Sequence, residues 1–335
     1  MSKATQNDLV EPNWPVCVRS QQGFALITVI LIAALVAILS AQLLSKQQAQ
    51  IERSSYMLHQ AQSLSVAWGL ESWVKSGLRL DAQNNQIDHL NELWAQPLLP
   101  IPFEEGEISG VLLDAQASLN LNNLLVPNDS LQQLWQGVFN RYAQQQSLTL
   151  NLADLVRDWI DADSEPQPNG AESSTYQLNQ PAYSAANQPM VTAQEVLNLE
   201  GLQRLNLAQR QTLLSGLTAL PRATAVNVNT APENVLLSLS DWMNATVVQA
   251  WIAQRQIEPA SSLQDFHAFL VGATGLTQQE VAQALPQELV GVNSQFFVLQ
   301  GRVDFGLSQQ QIFGLFYRNP QHQVALLQRW LSVAE

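Results

Sequence analysis

The run QGFALITVILIAALVAILSAQLL, from Gln22 to Leu44, decides how the rest of the chain is read. Between Phe24 and Leu44 it carries no charge, and at a rise of roughly 1.5 Å per residue a helix of this length spans a bilayer core. Lys3 and Arg19 precede the run, and no A-x-A-like site follows it, so ordinary signal cleavage beyond it is not expected. From Ser45 to Gly77 there is no proline, and Gly69 is the sole glycine before Gly77. Ile51, Leu58, Ala61, Leu64, Trp68 and Val74 recur at spacings near three, four and seven. Anchor and amphipathic continuation together predict one helix of roughly 50 residues, or ~80 Å. A plain anchor has no need of such a continuation. A subunit that packs by its helix, and lays the distal half on its own globular domain, does need it.

Composition narrows the function classes. The chain has 335 residues, 46% hydrophobic and only 13% charged, with a net charge of −13. An acidic surface of this kind argues against a nucleic-acid partner, which requires clustered Lys and Arg. The one cysteine, Cys17, lies before the apolar run, so neither a disulfide framework nor a Cys-based zinc site is expected. His59, His89, His267 and His322 show no HExxH or other ligand spacing, and there is no P-loop or dinucleotide fingerprint. The predicted helices between 244 and 284 could form helix-hairpin-helix units. Lys is absent there and Arg255 is nearly the only basic side chain, which favours protein packing over DNA phosphate.

Beyond the long helix, Gln96 to Pro102 reads as a proline-marked connection. Glu107–Leu113 and Ala117–Leu121 read as two strands of a hairpin around Asp114-Ala115-Gln116. Helical patterns follow at Ser130–Gln145, Leu150–Ile160, Ala193–Asn198 and Ala208–Ser215, interrupted by a polar stretch from Asp161 to Pro189. Val226–Asn229 reads as a strand entering a helix, with Thr230 as its expected N-cap and Pro232 in its first turn. Further helices are expected at 244–255, 261–270 and 277–284. Gln295–Asp304 and Gln311–Tyr317 close the chain as strands, and Gln323–Ser332 fits strand or helix. The expectation is therefore an α+β fold: a long N-terminal helix and a small antiparallel sheet domain carrying a large all-helical insertion. The corresponding segments are 1–23, 24–44 (membrane-spanning), 45–121 (helix and first strands), 122–290 (insertion) and 291–335 (last strands).

The polar stretch opens with the block DWIDADSEPQPNGAES, residues 158–173. Asp154, Asp158 and Asp161 share one face of the predicted helix, where negative charge near the carboxyl end is unfavourable. Counting from Asp161, the carboxylates of Asp161, Asp163, Glu165 and Glu172 fall at positions one, three, five and twelve. That is the ligand spacing of an EF-hand loop, although Pro166 stands where an EF-hand requires Gly. Solvated acids on a loop are the alternative. A polar stretch of almost 30 residues in a compact domain needs something to hold it. A structural calcium ion on Asp158, Asp161, Asp163, Glu165 and Glu172 would supply that.

QGFALIT, from Gln22 to Thr28, resembles the processing site of type IV pilins and pseudopilins. There cleavage after the glycine by prepilin peptidase leaves the apolar helix in the mature chain. Transferred here, the resemblance implies a leader of 23 residues (long for the family), cleavage between Gly23 and Phe24, and methylation of the new amino terminus. Pilin-like subunits usually carry Glu at the fifth mature position, a carboxylate that must be paired inside the bilayer; here that position is Thr28. With GVLLDAQASLNLNNL, DWIDADSEPQPNGAES and NVNTAPENVL in the same order, nearly the whole chain resembles the general secretion pathway protein K family of type II secretion systems. Family members more often have further acids where Ser173 and Ser174 stand. The resemblance implies a non-enzymatic minor pseudopilin in the bacterial inner membrane, single-pass, with its body in the periplasm. It further implies a place at the pseudopilus tip through Thr28, minor pseudopilins I and J as partners, bound calcium, and contact with secreted substrate proteins. The alternative is a signal-anchored periplasmic calcium-binding scaffold outside any filament; an anchored hydrolase using Asp158, Asp161 or Glu172 is weaker still.

Overall fold

The computed structural model describes residues 22–103, 106–306 and 308–333, so residues 1–21 of the expected leader lie outside it. The chain divides into two units, Met1–Leu58 and His59–Glu335. Helix α1 runs from Gln22 to Asn84 as one element of 63 residues, longer at its carboxyl end than the sequence suggests. In the first unit it carries no charge from Phe24 to Leu44 and turns polar from Ser45 onward. Its most apolar window has a mean hydropathy of 2.9 and buries nothing, the length and composition of a helix that crosses a bilayer.

In the second unit, α1 buries Ala67, Leu70, Val74 and Leu78, spaced three or four apart. This corrects the expected stripe. Leu58 and Trp68 are exposed, and of the six residues read as apolar contacts only Val74 is buried. The step of six from Trp68 to Val74 had crossed from one face of the helix to another. The helix lies on an antiparallel sheet of strands β1 (Leu98–Phe103), β2 (Gly106–Asp114), β7 (Phe296–Phe305), β8 (Ser308–Arg318) and β9 (Val324–Val333), in that spatial order. Leu70, Val74 and Leu78 meet Leu112, Phe297, Leu299 and Phe316. The approach is close at Gly301, where an added Cβ would come within 2.8 Å of Leu70 Cδ2. The segment read as a connection is thus strand β1. Its Pro100 and Pro102 donate nothing to a ladder, which an edge strand tolerates. The undecided last segment is strand β9.

Between β2 and β7 the chain builds a helical body with its own core. In order, β3 (Leu119–Asn120), α2 (Asp129–Gln145), α3 (Leu152–Ile160), α4 (Ser173–Tyr176), α5 (Leu207–Leu214) and β4 (Leu217–Thr218) form its first part. Then come β5 (Val226–Asn227), α6 (Glu233–Ser238), α7 (Ala245–Ile257), α8 (Leu263–Thr274), α9 (Gln278–Ala284) and β6 (Val290–Gly291). These helices are short, and most start on a capping side chain. Asn128, Asn151, Asn206, Asn244, Ser262 and Thr277 accept from the backbone N–H three residues on. Each such cap contributes about 1 kcal/mol. Trp135, Phe139 and Tyr142 of α2, Val156 of α3, and Trp251 and Phe266 of α7 and α8 fill the interior. Arg255 is buried there too, donating to Val228 O at 2.8 Å and Ala231 O at 2.7 Å. That one basic group of the helix-hairpin-helix region is therefore turned inward, and burial lowers its pKa to about 10.

Two local expectations change. Leu119–Asn120 pairs in parallel with Leu217–Thr218, so there is no hairpin around Asp114-Ala115-Gln116. Those residues turn the chain out of the sheet, with Asp114 Oδ1 accepting from Gln116 N at 2.8 Å. Thr230 does not cap α6 either, since Pro232 occupies that position. The hydroxyl of Thr230 reaches across to Asp114 instead.

Candidate metal centre

Helix α3 starts on Asn151 and ends at Asp161, whose N–H donates to Arg157 O. Its nine residues carry two buried acids, Asp154 and Asp158, toward the loop that follows. Asp154 Oδ2 accepts from Asn169 N and Nδ2, both at 3.2 Å. Both oxygens of Asp158 accept from Gln167 N at 3.1 Å. Gly170 lies directly against that carboxylate, with no room for a Cβ. These two acids shape the loop by holding its backbone.

The loop brings Asp161, Asp163 and Glu172 together, each with one carboxylate oxygen within 4.8 Å of the others. Positions one, three and twelve of the spacing converge in this way. Glu165 is exposed and stands outside the trio, its N–H donated to Asp163 Oδ1 at 2.8 Å. Asp158 also stands outside it, spent on Gln167. Pro166 does not prevent the convergence, because the turn is made at Gln167–Gly170, where Gly170 N donates to Gln167 O.

The electrostatics of the trio are unbalanced. Glu172 is only 4% exposed, and neither of its carboxylate oxygens has a hydrogen-bond partner; Asp161 Oδ1 has none either. Arg157 approaches Asp161 no closer than 3.9 Å. Burial, reinforced by neighbouring carboxylates, raises the pKa of Glu172 and of Asp161 and brings Asp158 up to about 6. Buried carboxylate oxygens without donors, as in Glu172 and at Asp161 Oδ1, are costly. A hard cation bound by oxygen ligands would satisfy all of them at once, and the donor set suits calcium.

One polar group here escaped the sequence reading. Asn187, with φ +46°, donates its backbone N–H to Trp159 O at 2.9 Å and its Nδ2 to Asp163 O at 3.1 Å. Its Oδ1 is buried without a partner. It lies far along the chain from the acidic block, and nothing in its spacing marks it; the polar stretch ending at Pro189 was the only signal. Behind the loop, Trp159, Tyr176 and Tyr183 pack ring to ring, with Trp159–Tyr176 at 5.2 Å and Tyr176–Tyr183 at 5.3 Å.

A second acidic group, Asp81, Asp88 and Glu92, already has its counter-charge. Arg318 Nη1 contacts Asp81 Oδ2 at 2.9 Å, and Nη2 contacts both oxygens of Asp88 at 2.6 Å. Glu92 accepts from His89 N and Trp94 Nε1. At the opposite end of the chain, Thr28 Oγ1 donates to its own helix, to Ala25 O at 2.9 Å and Phe24 O at 3.1 Å. Phe24 is exposed, and Gly23 already lies within α1.

Two family models match, both described as type II secretion system (T2SS), protein K, over residues 117–222 and 226–290. Among curated relatives, the type II secretion system protein K of Pseudomonas aeruginosa is 30% identical over 323 residues, covering 93% of each chain. That of Pectobacterium carotovorum subsp. carotovorum is 29% identical, covering 92% of this chain and 96% of its own. Among solved structures, a chain of the GspK-GspI-GspJ complex from enterotoxigenic Escherichia coli superposes with a TM-score of 0.72 at 23% identity, over 84% of this chain and 99% of that one.

Proposed function

This chain belongs to the type II secretion system protein K family, and from that premise we propose that it is the subunit that caps the tip of a pseudopilus. One observation carries the reading. At the position where pilin-like helices hold a carboxylate for a neighbour's amino terminus, Thr28 closes its hydroxyl onto Ala25 O and Phe24 O. It offers no charge to a subunit ahead of it. The helical body between β2 and β7 adds to this, because its bulk on a pilin-like stem obstructs a further subunit. In this reading the apolar run anchors the chain in the inner membrane, prepilin peptidase cuts between Gly23 and Phe24, and the body lies in the periplasm. Minor pseudopilins I and J are the partners, as the composition of the related complex suggests, and the role is assembly rather than catalysis.

Calcium is the cation proposed for Asp161, Asp163 and Glu172. It would neutralise the buried carboxylates and hold the loop against α3, a structural service. The orphaned oxygens of Glu172 and Asp161 support that assignment. Asp158, which holds Gln167, and the exposed Glu165 are not among its proposed ligands.

The experiment that tests the assembly role is replacement of Gly23 by a bulky residue, Gly23→Trp, in cells with the complete secretion system. The protein is expected in the membrane with its leader retained, and export of the system's substrates is expected to stop. Undiminished export would overturn the reading.

A further inference from the structure

We infer that Asp88 is a proton-operated latch on the joint between the sheet and the helical body, tight while its carboxyl keeps a proton and looser once that proton leaves. The chain leaves the sheet after β2 and returns to it just before β7. Asp88, fully buried in the segment joining α1 to β1, grips the return. Its N–H donates to Val292 O at 3.0 Å, and its Oδ2 accepts from Ser294 N at 2.7 Å. Its main-chain oxygen accepts from Asn227 Nδ2 of β5 at 3.0 Å. Arg318, at the end of β8, donates from Nη2 to both Asp88 oxygens and to Ser294 O, and its guanidinium lies over the Phe297 ring. Sheet and body thus meet on one carboxyl group.

Charge at this joint does not balance. Asp81 of α1 and Glu92 stand beside Asp88, each with a carboxylate oxygen within 4.8 Å of the others. Asp114, closing β2, is linked to it through Ser294, whose N–H serves Asp88 and whose hydroxyl serves Asp114. Arg318 gives these four acids a single permanent counter-charge among the described residues, and Asp81 shares it at 2.9 Å. His89 Nε2 stands 3.8 Å from Glu92 Oε1. Glu92 accepts from Asn85, His89 N and Trp94, and Asp114 from four donors, which favours the charged form of both. Asp88 has no water to dilute the surplus. Burial raises its pKa to about 7, with Asp114 adding to the rise while Arg318 and the Ser294 N–H oppose it. A protonated Asp88 still accepts from Arg318 and Ser294 through Oδ2, so the contacts outlast the charge. Opening the joint returns the carboxyl toward 3.8, so the closed form holds the proton more tightly. That advantage is complete below the lower value and is lost as pH rises through about 7.

The test is amide hydrogen exchange on the full-length, detergent-solubilised protein at a series of pH values, read as protection after correction for the intrinsic rate. Peptides of the joint, around 85–92 and 289–295, are compared with peptides from α8 and from the middle of β7. In wild type, protection at the joint falls by about tenfold or more between pH 5 and pH 7 and then levels off, while α8 and β7 hold theirs. Asp88→Asn, which cannot ionise, shows no such fall. Asp81→Asn still accepts from Arg318 but removes a neighbouring negative charge. Its levelling-off therefore comes at lower pH, a shift that a merely structural contact does not produce. Wild-type protection independent of pH, or the same fall in Asp88→Asn, would overturn the inference. Should Asp88→Asn not fold, an Asp81→Asn profile that levels off at the wild-type pH would overturn it equally.

Discussion

Thr230 Oγ1 donates to Asp114 Oδ2 across 2.6 Å, joining a residue of the helical body to the last residue of β2. Asp114 is a hub. It also accepts from Ser294 Oγ at 2.6 Å, Asn227 Nδ2 at 3.0 Å and Gln116 N at 2.8 Å. Asn227 in turn donates to Asp88 O, and Asp88 holds Arg318 at the end of β8. The stretch NVNT, Asn227–Thr230, is thereby accounted for: it fastens the insertion to the sheet. Burial raises the pKa of Asp114, and four donors offset that by favouring its charged form.

Thr230→Val keeps the shape and removes one donor from that buried carboxylate. A hydrogen bond to a charged group is worth about 1.5–3 kcal/mol, so stability should fall by about that amount. Thr230→Ser, which keeps the hydroxyl, should recover most of it. Urea unfolding of the two variants beside wild type is the measurement, and equal loss in both would show that the methyl group mattered rather than the bond.

Gly170→Ala sets a Cβ against the Asp158 carboxylate. Either the loop backbone or Asp158 must shift, at about 1–3 kcal/mol for an overpacked site. The expected outcome is a lower melting temperature together with weaker calcium binding, because the same turn brings Glu172 back to Asp161. A variant with wild-type melting and wild-type affinity would contradict this role for Gly170.

How much of this was legible beforehand differs between elements. Apolar periodicity marked most helices of the insertion, so their boundaries could be read to within a few residues, although the one cap expected, Thr230, was not one. The outer arrangement was legible too, because strands at both ends of a helical stretch leave few alternatives. Strand β1 was not, since Pro100 and Pro102 argue against a strand until its place at the sheet edge is known. The buried face of α1 was misread because Trp68 is apolar yet exposed, and the hydrophobicity of one residue cannot say which face meets a sheet. In the acidic loop, spacing picked out Asp161, Asp163 and Glu172, which the fold brings within 4.8 Å of one another. It could not separate them from Asp158, which holds Gln167, or from Glu165, which points outward. Asn187 lay beyond its reach, since a residue brought against the loop by tertiary folding leaves no periodic trace.

Acid should stabilise the metal-free protein through Asp158. Burial raises its folded pKa from 3.8 to about 6, so the folded state holds the proton more tightly than the unfolded chain does. That contribution is complete below the unfolded value and is lost as pH rises through about 6. Denaturant midpoints measured with chelator should therefore rise between pH 7.5 and pH 5, and the rise should shrink in Asp158→Asn. With saturating calcium the trend should flatten or reverse, because protons then compete with the ion for the neighbouring carboxylates. A wild-type profile with chelator that matches Asp158→Asn would remove Asp158 as the cause.

The central claim, that this chain is a pilin-like subunit processed ahead of its apolar helix, is tested most directly by the mass of its amino-terminal peptide. The protein would be extracted from membranes of cells that contain prepilin peptidase. The account predicts a chain beginning at Phe24, with the mass of one added methyl group on its amino terminus. A chain still beginning at Met1, or one cut beyond Leu44, would contradict it and leave a plain anchor or a removed signal in place of a pseudopilus subunit.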